Sequence, residues 1–413
     1  MFISRHFRLA VLIGILTFGI YMSSALLLYR VTSPPDAHFD RLAESFLHGR
    51  LFLINPPATV DLTFYHGHWY VPFPPLPALL LLPFVAVFGV AGVNTVIFGA
   101  VMGAINVVIA FLLLEALAQQ CWTQLSLADN LWLTLLFGLG SVHWYVSTLG
   151  SVWFLAQICT TTFLLAAIWL AISTRKAYLA GLALALAMLG RPHVALMLPL
   201  LMAIELQHRG WGAWSDWRKW LGWGIATIAP MGLAVLFLLS YNYARFDNPL
   251  DFGYLTQNVN PSLTADLQTY GQFHSFYIPH NLWVMLLAGP VWDAERRMIV
   301  PSLEGMSILF TTPALIMLAW ARQPRTLVVG AWVAVGLLLI PLMSYYNTGW
   351  WQFGYRFSLD LLPSALVLLA LAAKTRVGWP MRVLILLGVV SNAWGTWWFL
   401  NPRFFEVVVF LGS

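Results

Sequence analysis

Residues 9–28 read LAVLIGILTFGIYMSSALLL, an apolar run without a single charge, introduced by Arg5 and Arg8. At the 1.5 Å rise of an α-helix such a run spans the hydrocarbon core of a bilayer, roughly 30 Å thick. It is longer than the apolar core of a signal peptide, and no small-residue cleavage site follows, so it is expected to stay as a first spanning helix. Runs of the same kind recur, giving candidate spans near 9–30, 94–117, 129–146, 152–172, 177–190, 193–206, 220–241, 303–321, 326–345, 359–373 and 383–400. Composition agrees: the 413 residues are 9% charged and 60% hydrophobic, with a mean hydropathy of +0.78. A soluble domain would carry about a quarter charged residues. The predicted fold is all-α and polytopic, one membrane domain over 1–413 with about 11 transmembrane helices and further extracytoplasmic juxtamembrane helices.

A net charge of +5 would suggest nucleic acid only if the basic residues clustered, and here they are dispersed in short loops. They read as topology in a cell membrane. With the N-terminus cytoplasmic, the inner loops receive Arg175 and Lys176, then Arg209, Arg218 and Lys219, then Arg322 and Arg325, then Lys374, Arg376 and Arg382, so that all three lysines fall inside. Of the 16 acidic residues only Glu115, Asp129, Glu205 and Asp216 fall there. Any chemistry is therefore expected on the extracytoplasmic side. Pro72 to Gly89 (PFPPLPALLLLPFVAVFG) is apolar too, but counting it as a span would invert every later loop, and its five prolines argue against a continuous spanning helix. It is placed as a surface or re-entrant helix. Two large outer loops result, 31–93 and 242–302, with a short one at 346–358. Cys121 and Cys159 lack metal-type spacing and read as unpaired packing residues.

The first outer loop opens with PPDAHFDRLAESFLHGR at 34–50. Phe39, Leu42, Ala43, Phe46 and Leu47 recur on one helical face, with Asp40, Arg41, Glu44 and His48 opposite, as in an amphipathic helix lying on a membrane and stopped by Gly49. Asp36 is placed either to cap that helix or to act as a general base at the mouth of a cavity, with Asp40 as the alternative base. Further on, Asp61, Tyr65, His66, His68 and Tyr70 form a polar and aromatic cluster of the kind that stacks on sugar faces and bonds hydroxyls; an interfacial anchoring loop has the same composition. His66 and His68 flank one glycine without a carboxylate at a ligand offset, so no metal is expected.

In their order these parts resemble the GT-C superfamily of membrane glycosyltransferases, which includes protein mannosyltransferases and aminoarabinose transferases. The matching pieces are Asp36 with His38 and Phe39, the helix to Arg50, then Tyr65, Gly67, Trp69 and Tyr70, then Pro74, Pro75 and Pro77. The resemblance covers roughly residues 1–200 in architecture. The family's opening Asp-Glu doublet is Asp36-Ala37 here, which leaves the base open between Asp36 and Asp40. A Trp-Trp-Asp-Tyr-Gly signature is missing, which disfavours the oligosaccharyltransferase branch.

The resemblance implies transfer of a sugar from a polyprenyl-phosphate donor to an extracytoplasmic glycan, lipid or protein, without a cofactor. A lipid phosphate leaves as a stable anion, so such a site needs a base for the acceptor and cations for the phosphate. Arg191 in LGRPH, Arg245 in YNYARFDNPLDFGY, Arg296, Arg297 and Arg356 in WWQFGYRFSLDLLP are the candidate cations, since an arginine at membrane depth costs about 2.5–3.5 kcal/mol and grips phosphate with two parallel bonds. Arg356 leads, against an alternative in which it merely pairs with Asp360; Arg245 has Asp247 and Asp251 as comparable local partners. His274 and His280 in QFHSFYIPHN are candidates for acceptor or phosphate binding. Rival classes are a transporter or lipid-linked-sugar flippase, a polysaccharide ligase using the 242–302 loop, and a membrane scaffold.

Overall fold

The computed structural model describes residues 2–28, 31–210, 215–349 and 351–401; the end of the first predicted span, Trp350 and the side chain of Arg5 lie outside what is described. The chain opens with α1 (Phe2–Leu27), then α2 (Phe39–Leu47), a hairpin of β1 (Thr63–Tyr65) and β2 (His68–Tyr70), and α3 (Leu76–Gly92). Next come α4 (Thr95–Gln119), α5 (Leu127–Gly138), α6 (His143–Ser147), α7 (Val152–Thr174), α8 (Ala177–Met188), α9 (Leu198–Arg209) and α10 (Trp217–Phe246). The second large loop carries α11 (Pro261–Tyr270), α12 (Ile278–Leu286) and a hairpin of β3 (Val291–Asp293) and β4 (Met298–Val300), before α13 (Ile308–Thr311), α14 (Arg325–Ser344), α15 (Leu362–Ala373) and α16 (Trp379–Leu400).

Six of these, α1, α4, α7, α10, α14 and α16, are long and apolar enough to cross a membrane. Over the other apolar runs the chain forms shorter pieces: α5 with α6, α8, a 3-10 turn at Pro192–Met197 running into α9, α13 with a 3-10 helix at Pro313–Trp320, and a 3-10 helix at Arg356–Asp360 running into α15. Pro192, Pro313 and Pro363 stand at the starts of these pieces, where a missing N–H costs least. Buried share separates centre from rim: 72% of the apolar window of α7 is buried and 61% of α4, against 22% for α1 and α10, whose outer faces are left for lipid.

Inside the bundle one chain of buried polar groups is satisfied by its own members, as a lipid solvent favours. The Thr162 hydroxyl donates to Asn106 Oδ1 (2.5 Å), Asn106 Nδ2 lies 3.2 Å from His143 Nε2, and Tyr21, 2.9 Å from His143 Nδ1, donates to the Gly138 carbonyl (2.7 Å). These bonds tie α1, α4, α5, α6 and α7 together.

The loops sort into two sets that bond within themselves. At one end Gln124 N donates to Lys374 O (2.7 Å), Val377 N to Asp129 Oδ1 (2.9 Å), and Trp122 packs on His208 (4.7 Å between rings). At the other, Asp61 N donates to Asn258 O (2.9 Å), Tyr346 N to Gln272 O (3.0 Å) and the Thr348 hydroxyl to Glu304 O (3.0 Å).

α2 buries Phe39, Leu42 and Ala43 against Ala78, Leu81 and Val85 of α3. Two details differ from the sequence reading. Its N-cap is His38 and makes no side-chain cap bond, so Asp36 is not the cap. Asp40 is buried, 5% exposed, rather than turned outward, because α2 is also covered by the following chain, with the Ser45 hydroxyl bonded to Phe52 O (2.8 Å). Gly49 does end the helix, at φ +68°. α3 takes up the predicted Pro72–Gly89 segment from Leu76 onward, with Pro72, Pro74 and Pro75 ahead of it; it carries Pro83 and breaks at Gly89 (φ 66°, ψ 169°), and is shorter than any of the six long helices.

Candidate functional site

A cavity of about 580 Å³ opens among the second set of loops. Its size suits a small-molecule headgroup. Asp36 and Asp61 reach it from the first loop, Arg191 and His193 from the turn between α8 and α9, Tyr254 and Gln257 from the second loop, and Tyr345, Tyr346 and Arg356 from the segment after α14. Residues separated by more than three hundred positions in sequence therefore share one wall.

Asp36 is held at the head of α7. Its backbone carbonyl accepts from Val152 N (3.1 Å), and its side chain lies beside Ser151 on the cavity wall. The first turn of a long helix favours a carboxylate there. Burial pushes its pKa up from the ordinary carboxylate value, while a bond from the Ser151 hydroxyl draws it back. Oδ1 is buried without a hydrogen-bond partner, so one acceptor of this carboxylate is left for whatever enters.

Asp61 stands in left-handed backbone geometry, φ +58°. Such a conformation is uncommon outside glycine, although aspartate tolerates it. Gln257 Nε2 donates to its Oδ1 (2.9 Å), which also fastens the second loop to the first. Burial raises its pKa to about 7; a bond from Trp153 and the charge of Arg356 pull downward, and Asp36 adds to the rise. His38 Nε2 lies 3.0 Å from Val60 O and steadies the residue before it. Burial lowers the His38 pKa to about 4, which favours the neutral imidazole at neutral pH.

Arg356 is 6% exposed. Its Nε donates to Gly349 O (3.0 Å) and its Nη1 to Gln157 Oε1 (2.9 Å), while Gln157 Nε2 returns a bond to the Arg356 carbonyl (3.1 Å). The guanidinium lies 4.8 Å from the Phe357 ring centroid and 5.5 Å from that of Phe154. No carboxylate pairs with it among the described residues. The local Arg356–Asp360 pair is not formed: Asp360, fully buried, accepts instead from Arg191 Nε (2.9 Å) and His193 Nε2 (2.8 Å). Arg191 and Arg356 thus both face the cavity, with one neutralising carboxylate behind them.

The other predicted residues do not line this cavity. Asp40 accepts from Arg41 N (2.7 Å) within the first turn of α2. Arg245 is buried and donates to Val71 O (2.5 Å) and Asn242 Oδ1 (2.7 Å), joining α10 to the first loop rather than pairing with Asp247 or Asp251. Tyr65 stacks on His66 (4.0 Å) and donates to Asp247 Oδ2 (3.3 Å), with His66 Nδ1 3.9 Å from the same oxygen. His68 stacks on Phe52 (3.9 Å) and Tyr70 packs on Phe246 (5.4 Å). His280 lies 3.6 Å from Glu304 and half exposed. His66 and His68 each pack on a different ring, and among the described residues no three histidine, cysteine or acidic side chains gather to hold a metal.

Solved structures similar to this chain include the following two. One is ArnT from Cupriavidus metallidurans bound to undecaprenyl phosphate, with a TM-score of 0.47 and 14% identity over 90% of this chain and 60% of that one. The other is the Archaeoglobus fulgidus oligosaccharyltransferase tethered with an acceptor peptide, with a TM-score of 0.45 and 13% identity over 95% of this chain and 55% of that one. The chain therefore spans less than two thirds of the length of either. No protein-family profile matches the sequence, and comparison with curated proteins gave no match.

Sequence reading passed over Gln157, Trp153 and His193. Gln157 had a legible signal: it is an amide inside the apolar run of α7, fully buried, and a polar group at such depth needs a partner. Trp153 carried none.

Proposed function

We propose that this cavity is the active site of a membrane glycosyltransferase that moves a sugar from a polyprenyl-phosphate donor to a hydroxyl-bearing acceptor on the extracytoplasmic face of a cell membrane, with the N-terminus cytoplasmic. The observation that carries this reading is the cavity's pairing of opposites: Arg356, a buried cation with no carboxylate partner, on the same wall system as Asp36, a carboxylate with an unused oxygen.

Burying an uncompensated guanidinium is expensive, and an anionic ligand would offset the cost. A phosphodiester supplies one charge and flat acceptor geometry for Arg356, with Arg191 as the second cation. The aromatic walls of Tyr254, Tyr345 and Tyr346 suit a sugar ring and the start of an isoprenoid. In the transfer step the acceptor oxygen attacks the anomeric carbon, its proton passes to Asp36, the anomeric C–O bond to phosphate breaks, and the electron pair departs with the lipid phosphate. A single displacement inverts the anomeric centre. The leaving phosphate needs no general acid, and the two arginines offset its charge as the bond breaks. Asp61, whose pKa is raised to about 7, can donate to a sugar or acceptor oxygen in its protonated form.

The test is transfer of radiolabelled sugar from a panel of polyprenyl-phosphate sugars by purified wild type and Asp36→Asn. We expect turnover by wild type and a loss of about a hundredfold or more in the variant, at an unchanged melting temperature. Full activity in Asp36→Asn would refute its role as base; no turnover on any donor would refute the transferase reading.

A further inference from the structure

The charge on the phosphate changes during the proposed reaction. The donor is a phosphodiester with one negative charge. The departing lipid phosphate is a monoester with a second ionisable oxygen, whose pKa is about 6. Arg191 and Arg356 carry fixed charge and cannot follow that change. His193 can, since imidazole is the side chain that takes up a proton near neutrality.

The geometry around His193 suits this use. It lines the cavity beside Arg191, two positions along the same turn. Its Nε2 is 2.8 Å from Asp360 Oδ2, which places the ring proton on Nε2 and leaves Nδ1 for a ligand. Asp360 is completely buried, and its Oδ2 also receives Arg191 Nε at 2.9 Å. One carboxylate therefore orients both groups, and the five-residue 3-10 helix that ends in Asp360 begins with Arg356. A carboxylate behind an imidazole fixes its tautomer and stabilises the imidazolium when it forms. The other ionisable groups on the cavity walls are Asp36, Asp61 and Arg356, with the hydroxyls of Tyr254, Tyr345 and Tyr346.

Building on the transferase reading, we infer that His193 binds the leaving lipid phosphate by taking a proton from solvent onto Nδ1 as the phosphate gains its second charge, with Asp360 as the positioning residue for both His193 and Arg191. His193 thus distinguishes the monoester product, and the transition state leading to it, from the diester donor.

The experiment compares dissociation constants of a long-chain polyprenyl phosphate and of its monomethyl ester, which holds one fixed charge, for detergent-purified wild type, His193→Gln and Asp360→Asn. Each titration is run in two buffers of different ionisation enthalpy to count protons taken up. For wild type we expect the monoester to bind about tenfold more tightly than the methyl ester, with proton uptake. His193→Gln should bring the two affinities within about twofold of each other and abolish the uptake. Asp360→Asn should weaken both ligands, because Arg191 also loses its anchor; His193→Gln carries the decision if that variant misfolds. An unchanged preference in His193→Gln, or an equal loss for both ligands, would overturn the inference while leaving the transferase reading intact. Failure of wild type to bind either lipid would overturn both.

Discussion

Arg245 and Arg356 are alike in burial, 2% and 6% exposed, and each guanidinium lies over two aromatic rings. They differ in what is left over. The three nitrogens of Arg245 all find acceptors, in Tyr241 O, Val71 O and Asn242 Oδ1, and the residue clamps the end of α10 to the first loop. In Arg356, Nε and Nη1 are anchored by Gly349 and Gln157, and the group borders the cavity. Neither has a carboxylate partner among the described residues; only one borders the cavity and can offer its charge to a ligand. A buried arginine is therefore assigned a role by its unused donors, not by its burial.

That contrast yields different mutational signatures. Arg356→Gln should lower sugar transfer by the folded fraction about a hundredfold or more, the scale of losing a donor aimed at developing charge, and should also lower melting temperature, because it strands buried acceptors on Gly349 and Gln157. Arg245→Gln strands buried acceptors on Val71 and Asn242, each costing about 1–3 kcal/mol, so yield and melting temperature fall there too, while the folded fraction keeps wild-type turnover. Thermal shift and kinetics per folded molecule on the same preparations would separate the two, and a similar loss of turnover in both variants would dissolve the distinction.

A smaller effect sharpens the same comparison through Asp61, which feels Arg356 among its influences. With its pKa raised to about 7, the folded chain holds a proton that the unfolded chain releases above about 4. Stability from this group is therefore lost as pH rises from about 4 to about 7. Asp61→Asn lacks that slope, so its melting temperature should gain on wild type by a few degrees between acid and mildly alkaline pH. A constant offset across that range would show that Asp61 titrates normally.

Much of this was legible in the chain. The apolar runs located the helices, because in lipid every backbone polar group must be paired within its own segment. The 3.6-residue recurrence from Phe39 to Leu47 located α2 and its buried face. Periodicity gives a face but not what covers the other side, so the burial of Asp40 was invisible. The sorting of the arginines was equally hidden. Asp247 and Asp251 looked like partners for Arg245 because they are near in sequence, yet Asp251 Oδ1 accepts from Gly253 N (2.6 Å) and Asp247 sits exposed at the end of α10. Asp360 found its partners at Arg191 and His193, well over a hundred residues away, and Gln157 reached Arg356 across a similar distance. Long-range pairing of this kind leaves no local pattern.

The central claim is that the anion site lies at Arg356 in the cavity. The most direct measurement is an experimental structure of the full chain with a polyprenyl phosphate in nanodiscs. The account predicts phosphate density within hydrogen-bond reach of Arg356 and Arg191, with the isoprenoid leaving along the aromatic wall. Phosphate bound elsewhere, with the cavity empty of lipid, would contradict it.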